Sequence, residues 1–234
     1  MIRLYFNLAP NPLKVALFLE EAGLPYEAVP VDTRKGEQHL PAFRAINPNG
    51  KLPAIVDDER PGGKETRVFD STAILIYLAE KTGKFFGAPE DRGELLSWLL
   101  FIASGLGPFS GQAVHFQHVA PAGLDYAVNR YRREAERHYE VLDRHLAGSA
   151  FVVGETYTIA DMSAWGWLSR ASRVMKGEAD PLAAFPNLKR LYETVDARPA
   201  AARARALGKD HPFKTAEDEE AKRALYPSNY PRAA

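Results

Sequence analysis

The chain of 234 residues carries 30 basic and 30 acidic side chains, a formal net charge of zero, and no cysteine. The charge balance gives no electrostatic case for nucleic acid or an anionic membrane as partner. The missing thiols exclude disulfides, thiolate metal sites and a cysteine nucleophile. At this length one large or two smaller cores are expected, and without a long apolar segment the chain reads as soluble and cytoplasmic.

Taken in order, Ile2 to Phe6 reads as a strand, broken at Pro10-Asn11-Pro12. Leu13 to Glu21 is a mostly apolar helix ending before Gly23, and Tyr26 to Val31 is a second strand behind the turn Leu24-Pro25. Strand, helix and strand at this spacing form a βαβ unit, so the two strands are expected to be parallel. Ala54 to Val56 and Arg67 to Phe69 read as a hairpin joined by Arg60-Pro61-Gly62-Gly63-Lys64. An apolar helix opens at Ser71 and ends near Lys81-Thr82, with Gly83 as its cap.

From about Leu95 onward strands disappear. Tyr131, Ala135, His138, Leu142 and Leu146 recur at helical spacing, with Arg132, Arg133, Glu136 and Arg137 on other faces. Thr158-Ile159-Ala160-Asp161 has the form of a capping box and opens an aromatic helix around Trp165 and Trp167, read as the core of this part. The expected fold class is an α/β thioredoxin-like N-terminal domain followed by an all-α C-terminal domain. The expected boundaries are 1–84, a linker over 85–91, a helical domain over 92–207, and an extended tail over 208–234.

Two segments point to a ligand. Pro53 stands directly before a β-branched run, where a proline costs no ladder hydrogen bond and an X–Pro bond can be cis. A cis bond there would turn the main chain of Leu52 outward to pair with an extended peptide. Asp70-Ser71 closes a strand and opens a helix, where a hydroxyl and backbone amides suit a carboxylate. Ser71 would take that carboxylate, and Asp70 an adjacent ammonium. Each feature alone also fits a plain turn proline or a plain helix cap.

Together, in this order, they resemble the glutathione site of the glutathione transferase superfamily. In that family a hydroxyl or thiol near the first loop touches the glutathione sulfur. Here the loop Asn7-Leu8-Ala9-Pro10-Asn11-Pro12-Leu13-Lys14 has no such group. Asn11 can donate an amide N–H to a thiolate or cap the helix, and Tyr5, within the strand, is the competing sulfur partner. Pro10-Asn11, Lys35-Gly36, the run Ser71 to Gly83, Gly105-Leu106-Gly107-Pro108, Gly111-Gln112, His115-Phe116 and Arg130 are similar to the nu class. Its members include bacterial relatives of a yeast prion protein, and the disulfide-bond reductases among them are the nearest in pattern. Ala9 stands where that group commonly has Thr.

The resemblance implies Asn11 as the catalytic sulfur partner. It implies glutathione contacts from Asn11, Gln38, Leu52, Pro53, Asp70, Ser71 and Arg130, with His115 and Phe116 on the electrophile side. His115 and His118 have the spacing of metal ligands but no third ligand nearby, so no metal is expected. Glutathione is then a co-substrate, and with no cysteine in the chain its own thiolate is the expected nucleophile. The expected activity is reduction of small disulfides. Conjugation of electrophiles, or glutathione binding without catalysis, are the alternatives. The resemblance also implies a homodimer.

Overall fold

A computed structural model describes residues 1–59 and 64–230. The connection read at Arg60 to Gly63 therefore lies outside the described residues. The chain divides into two compact units, one of residues 1–77 together with those from 203 onward, the other of residues 78–202.

In the first unit the strands are β1 (Ile2–Phe6), β2 (Tyr26–Pro30), β3 (Ala54–Asp57) and β4 (Thr66–Phe69). They form one sheet in the order β2-β1-β3-β4. β1 and β2 are parallel, with Leu4 opposite Ala28, as the βαβ reading requires. β3 runs antiparallel to both β1 and β4. All four residues of β3 are buried, as befits an interior strand, and β2 and β4 form the edges.

Helix α1 (Pro10–Ala22) begins three residues earlier than the apolar pattern indicated. Proline is well suited to a first helical turn, where its missing N–H has no intrahelical acceptor, so Pro10-Asn11-Pro12 starts the helix instead of breaking the chain. Every residue from Pro12 to Leu19 is buried. A short helix, α2 (Pro41–Arg44), and a 3-10 turn at Glu37–His39 fill the stretch before β3. Neither was legible, because four residues are too few to show a period. α3 (Ser71–Thr82) follows β4, and the Gly83 N–H closes on Ala79 as expected.

The second unit contains the helices α4 (Arg92–Phe101), α5 (Gly107–His118), α6 (Asp125–His145), α7 (Ile159–Leu168), α8 (Ala171–Val174), α9 (Pro186–Asp196) and the first half of α10 (Pro199–Ala206). Between α4 and α5, Ile102–Leu106 forms a π-helical turn. Its glycines have a steric cause. A Cβ on Gly105 would collide with the His138 ring, and one on Gly107 would come within 2.6 Å of Trp167 Nε1.

The stripe on α6 is buried at Ala135, His138 and Leu142 and continues to buried Leu146 just past the helix end. At α7 the capping box forms in both directions. Ala160 N–H donates to Thr158 Oγ1 at 3.3 Å, and Thr158 N–H donates to Asp161 Oδ2 at 2.7 Å. Trp165 is fully buried and donates to Asp196 at 2.8 Å, whereas Trp167 is only half-buried, against the reading of both as core.

The residues after 207, read as an extended tail, contain a helix, α11 (Glu219–Leu225), capped by Asp218. This segment packs with the first unit. Phe213 meets the edge of Phe6 at 5.8 Å, and Lys214 N–H donates to the buried Asp32 at 2.7 Å. Among the described residues no helix is long and apolar enough to cross a membrane.

Candidate functional site

The first loop is held by Asn7, whose Oδ1 accepts from Ala9 N–H at 3.0 Å and whose amide donates to Thr33 Oγ1 at 3.1 Å. This fixes Ala9 as the residue preceding α1, and Ala9 offers no side-chain cap. Asn11 is thus not the cap. It sits in the first turn, half-buried, and among the described residues its amide makes no hydrogen bond. Tyr5 is half-buried on β1. Its ring lies 5.9 Å from Phe43 and packs on the cluster of Val31, Phe43 and Ala54 together with Leu52 and Ile46.

The Leu52–Pro53 peptide is cis. Asn47, itself buried, shapes the turn before it by accepting from Asn49 N–H at 3.0 Å and donating to Lys51 O at 2.6 Å. Among the described residues the Leu52 main chain has no hydrogen-bond partner.

At the start of α3 the roles of the acidic residue and the serine separate. Asp70 has a left-handed backbone, φ 72°, and one carboxylate oxygen accepts from Thr72 N–H at 2.8 Å and from Ala73 N–H at 3.2 Å. Asp70 is the cap, and it already uses two of the amides that the sequence offered to a ligand. Ser71 keeps its own N–H and its hydroxyl for other work. It is 6% exposed, and its Oγ lies 3.5 Å from Lys14 Nζ.

Lys14 is the residue that the sequence reading passed over. It is 1% exposed, and burial pushes its pKa down to about 7, with the nearby Asp70 carboxylate acting in the opposite direction. The signal was present: a single cation in the run Leu13 to Leu19, where α1 has no polar side for it. Asn11 and Lys14 are three apart on one helix and so share a face. Lys14 thus meets Ser71 and senses the Asp70 charge from the helix that also carries Asn11.

Gln38 lies in the 3-10 turn Glu37–His39 that follows β2. It is 4% exposed, beneath the C-terminal segment. Its amide nitrogen donates to Ala224 O at 2.9 Å and to Thr33 O at 3.2 Å, and His39 Nε2 also meets Ala224 O at 2.8 Å.

The remaining candidates belong to the second unit. Arg130 is exposed on α6 and pairs with Glu134 one turn on, at 3.2 Å. Phe116 stacks on Tyr131 with centroids 5.0 Å apart, and His115 meets the Phe116 edge at 5.2 Å. Burial lowers the His115 pKa. His118 is tied to Arg173 O at 2.8 Å, and among the described residues no group of three or more His, Asp or Glu side chains converges on a point.

Residues 9–81 match the sequence model described as glutathione S-transferase, N-terminal domain, and residues 125–194 match the corresponding C-terminal domain. The chain is 44% identical over 206 residues to the disulfide-bond oxidoreductase YfcG of Escherichia coli, covering 87% of this chain and 94% of that protein. A solved glutathione transferase family member from Pseudomonas fluorescens, with two glutathione bound, superposes with a TM-score of 0.83 at 40% identity, covering 87% of this chain and 91% of the other. A glutathione transferase from Pseudomonas putida, with one glutathione disulfide bound per subunit, gives 0.78 at 37% identity, with 87% and 90% covered.

Proposed function

This chain belongs to the glutathione S-transferase family, and from that premise we propose that it reduces small disulfides with glutathione as the thiol donor. The observation that carries this reading is the absence of cysteine from a chain similar to a disulfide-bond oxidoreductase. The protein has no sulfur of its own to offer, so the nucleophile is glutathione thiolate. That thiolate attacks one sulfur of the substrate disulfide, and the S–S bond breaks. The departing thiolate takes up a proton. A second glutathione thiolate then attacks the glutathione sulfur of the mixed disulfide, releasing oxidised glutathione and the second substrate thiol. Solved relatives holding two glutathione molecules or one glutathione disulfide support such a two-thiol site.

In this reading the Asn11 amide donates to the sulfur and favours its charged form. The Leu52 main chain beside Pro53 pairs with the peptide, while Ser71 takes the γ-glutamyl carboxylate and Asp70 its ammonium. Arg130 takes the other carboxylate, and His115 and Phe116 border the second substrate. Gln38 joins this set when the segment carrying Ala224 moves aside. The protein acts in the cytoplasm as a homodimer, in keeping with the absence of disulfides and with the two-fold assemblies usual for soluble proteins.

The test is a coupled assay in which glutathione reductase reports oxidised glutathione formed from a small hydroxyalkyl disulfide, run beside conjugation of an aromatic halide. Faster disulfide turnover supports the reading. Conjugation without disulfide turnover would make the protein a conjugating transferase, and glutathione binding with neither would leave it a binding protein.

A further inference from the structure

The C-terminal segment is tied to both loops that leave the parallel strands. Beyond β1, Phe213 meets the edge of Phe6, and a Cβ on Gly208 would collide with the Leu8 side chain. Beyond β2, Lys214 N–H donates to Asp32, and Arg34 donates to Lys214 O at 3.5 Å. Past that anchor the hold is lighter. Thr215, Ala216 and Glu217 are exposed and without regular structure, and in the seven residues of α11 only Ala221 is buried. So short a helix is not stable by itself in water, and α11 depends on its seat.

That seat occupies Gln38. Its amide nitrogen faces two carbonyls, Ala224 O at 2.9 Å and Thr33 O at 3.2 Å, so each of its two N–H groups has an acceptor. Turning the amide over would set oxygen against oxygen. Gln38 Oε1 is left buried, with no hydrogen-bond partner among the described residues, an arrangement that weakens the seat. In the glutathione reading the γ-glutamyl end goes to Asp70 and Ser71, and the middle to Leu52. What remains for Gln38 is the glycyl carboxylate, which needs a donor. While α11 is seated, Gln38 has only lone pairs to present to it.

We propose that residues 215–230 form an autoinhibitory strap that competes with glutathione for Gln38. Seated, Ala224 O takes the N–H that Thr33 leaves over. Released about Thr215 to Glu217, with Phe213 and Lys214 still anchored, the strap gives that N–H back to the glycyl carboxylate. His39, whose Nε2 also meets Ala224 O, loses the same contact. The strap regulates the site already described, and its role rests on the reading of Gln38 as one of the glutathione residues.

The absence of cysteine allows the strap to be locked covalently. A Cβ on Gly36 lies 3.7 Å from Ala224 Cβ, a separation that a disulfide spans. The full chain carrying Gly36→Cys and Ala224→Cys is oxidised, the bond is verified by mass spectrometry, and binding is compared before and after reduction. The two forms share any strain from a side chain at φ 80°, so only the lock differs. S-methylglutathione is the probe, because it has no thiol with which to open the disulfide. The locked form is expected to bind it about tenfold more weakly than the reduced form, the loss of one hydrogen bond to a charged group. Deleting residues 218–234 from the wild-type chain is expected to tighten binding several-fold, since no fraction of that protein is closed.

Equal affinity in the locked and reduced forms overturns the inference and leaves the glutathione reading intact. A shortened chain that binds no more tightly than wild type does the same, and it decides alone where the paired variant does not fold. If neither wild type nor the shortened chain binds glutathione or its S-methyl form, both fall.

Discussion

Gln38 and Ala224 are joined across 186 residues of sequence: the Gln38 amide donates to the Ala224 carbonyl at 2.9 Å, and the ring of the adjacent His39 meets the same oxygen. The C-terminal helix α11 is thereby fastened onto the loop that follows β2. Removing residues 218–234 deletes α11 but leaves Phe213 and Lys214 in place. In that shortened chain Gln38→Ala should weaken glutathione by about 1 kcal/mol, the ordinary worth of one hydrogen bond. In the full chain the same substitution should change affinity by less and lower the melting temperature instead. Calorimetry and thermal unfolding on the four proteins check this, and an equal affinity loss in both backgrounds would remove the segment from the account.

Asn11→Ala should raise the thiol pKa of bound glutathione and slow disulfide reduction at neutral pH by about tenfold, since a donated N–H stabilises the thiolate by roughly 1–2 kcal/mol. Tyr5→Phe should alter neither, because the ring packing on Phe43 survives and only the hydroxyl is lost. Thiolate absorbance titrated in the ultraviolet, with turnover measured alongside, distinguishes the two. A large loss in Tyr5→Phe alone would transfer the sulfur contact to β1.

Capping and ligand binding at Asp70 can be pulled apart. Asp70→Asn keeps an oxygen for Thr72 and Ala73 and tolerates the left-handed backbone, so stability should fall by less than about 0.5 kcal/mol. Losing the charge should still weaken glutathione by about 1–3 kcal/mol. Asp70→Ala should lose both, with a further ~1 kcal/mol of stability visible in urea unfolding. Full affinity in Asp70→Asn would confine Asp70 to the cap.

Lys14 also leaves a mark on the ligand-free protein. Its folded pKa, about 7, lies below the ordinary lysine value of 10.5, so the unfolded chain binds more protons between those values. Stability contributed at this position is therefore lowest below pH 7 and rises as pH climbs through the window, by up to ~1.4 kcal/mol per pH unit. Urea midpoints of wild type and Lys14→Met should converge between pH 7 and about pH 9, the variant being the more stable at the acid end. Parallel profiles would mean that Lys14 keeps an ordinary pKa in the fold.

The parallel β1–β2 pair, the hairpin strands and the opening of α3 were legible because each rests on a local signal: alternating apolar residues, a βαβ length, a cap at a strand end. The Thr158–Asp161 box was read for the same reason. What escaped depends on partners distant in sequence. The two glycines of the π-helical turn are set by His138 and Trp167, which no pattern near residue 105 announces. Gln38 is buried by a carbonyl at residue 224, and Lys14 is defined by Ser71, 57 residues away. Of the candidate site, the local settings were readable, Asn11 at one helix start and Asp70-Ser71 at another. The burial of Lys14 belongs to packing. The proline pair at α1 misled because a breaker and a first-turn residue are the same residue in different places.

The sheet's margins carry a further consequence. β2 and β4 are its outer strands, and each is poorly suited to recruiting another copy of itself. β2 ends on Pro30, which has no N–H to offer, and exposes Glu27. On β4, exposed Arg67 is drawn sideways, donating to Glu65 at 2.9 Å and to Ala45 O at 2.9 Å. A charged side chain lying along one margin and a missing donor on the other discourage strand-to-strand polymerisation. The wholly buried β3 is thus flanked by margins that resist pairing, and replacing Arg67 by a β-branched apolar residue would be the shortest route to making the fold aggregate.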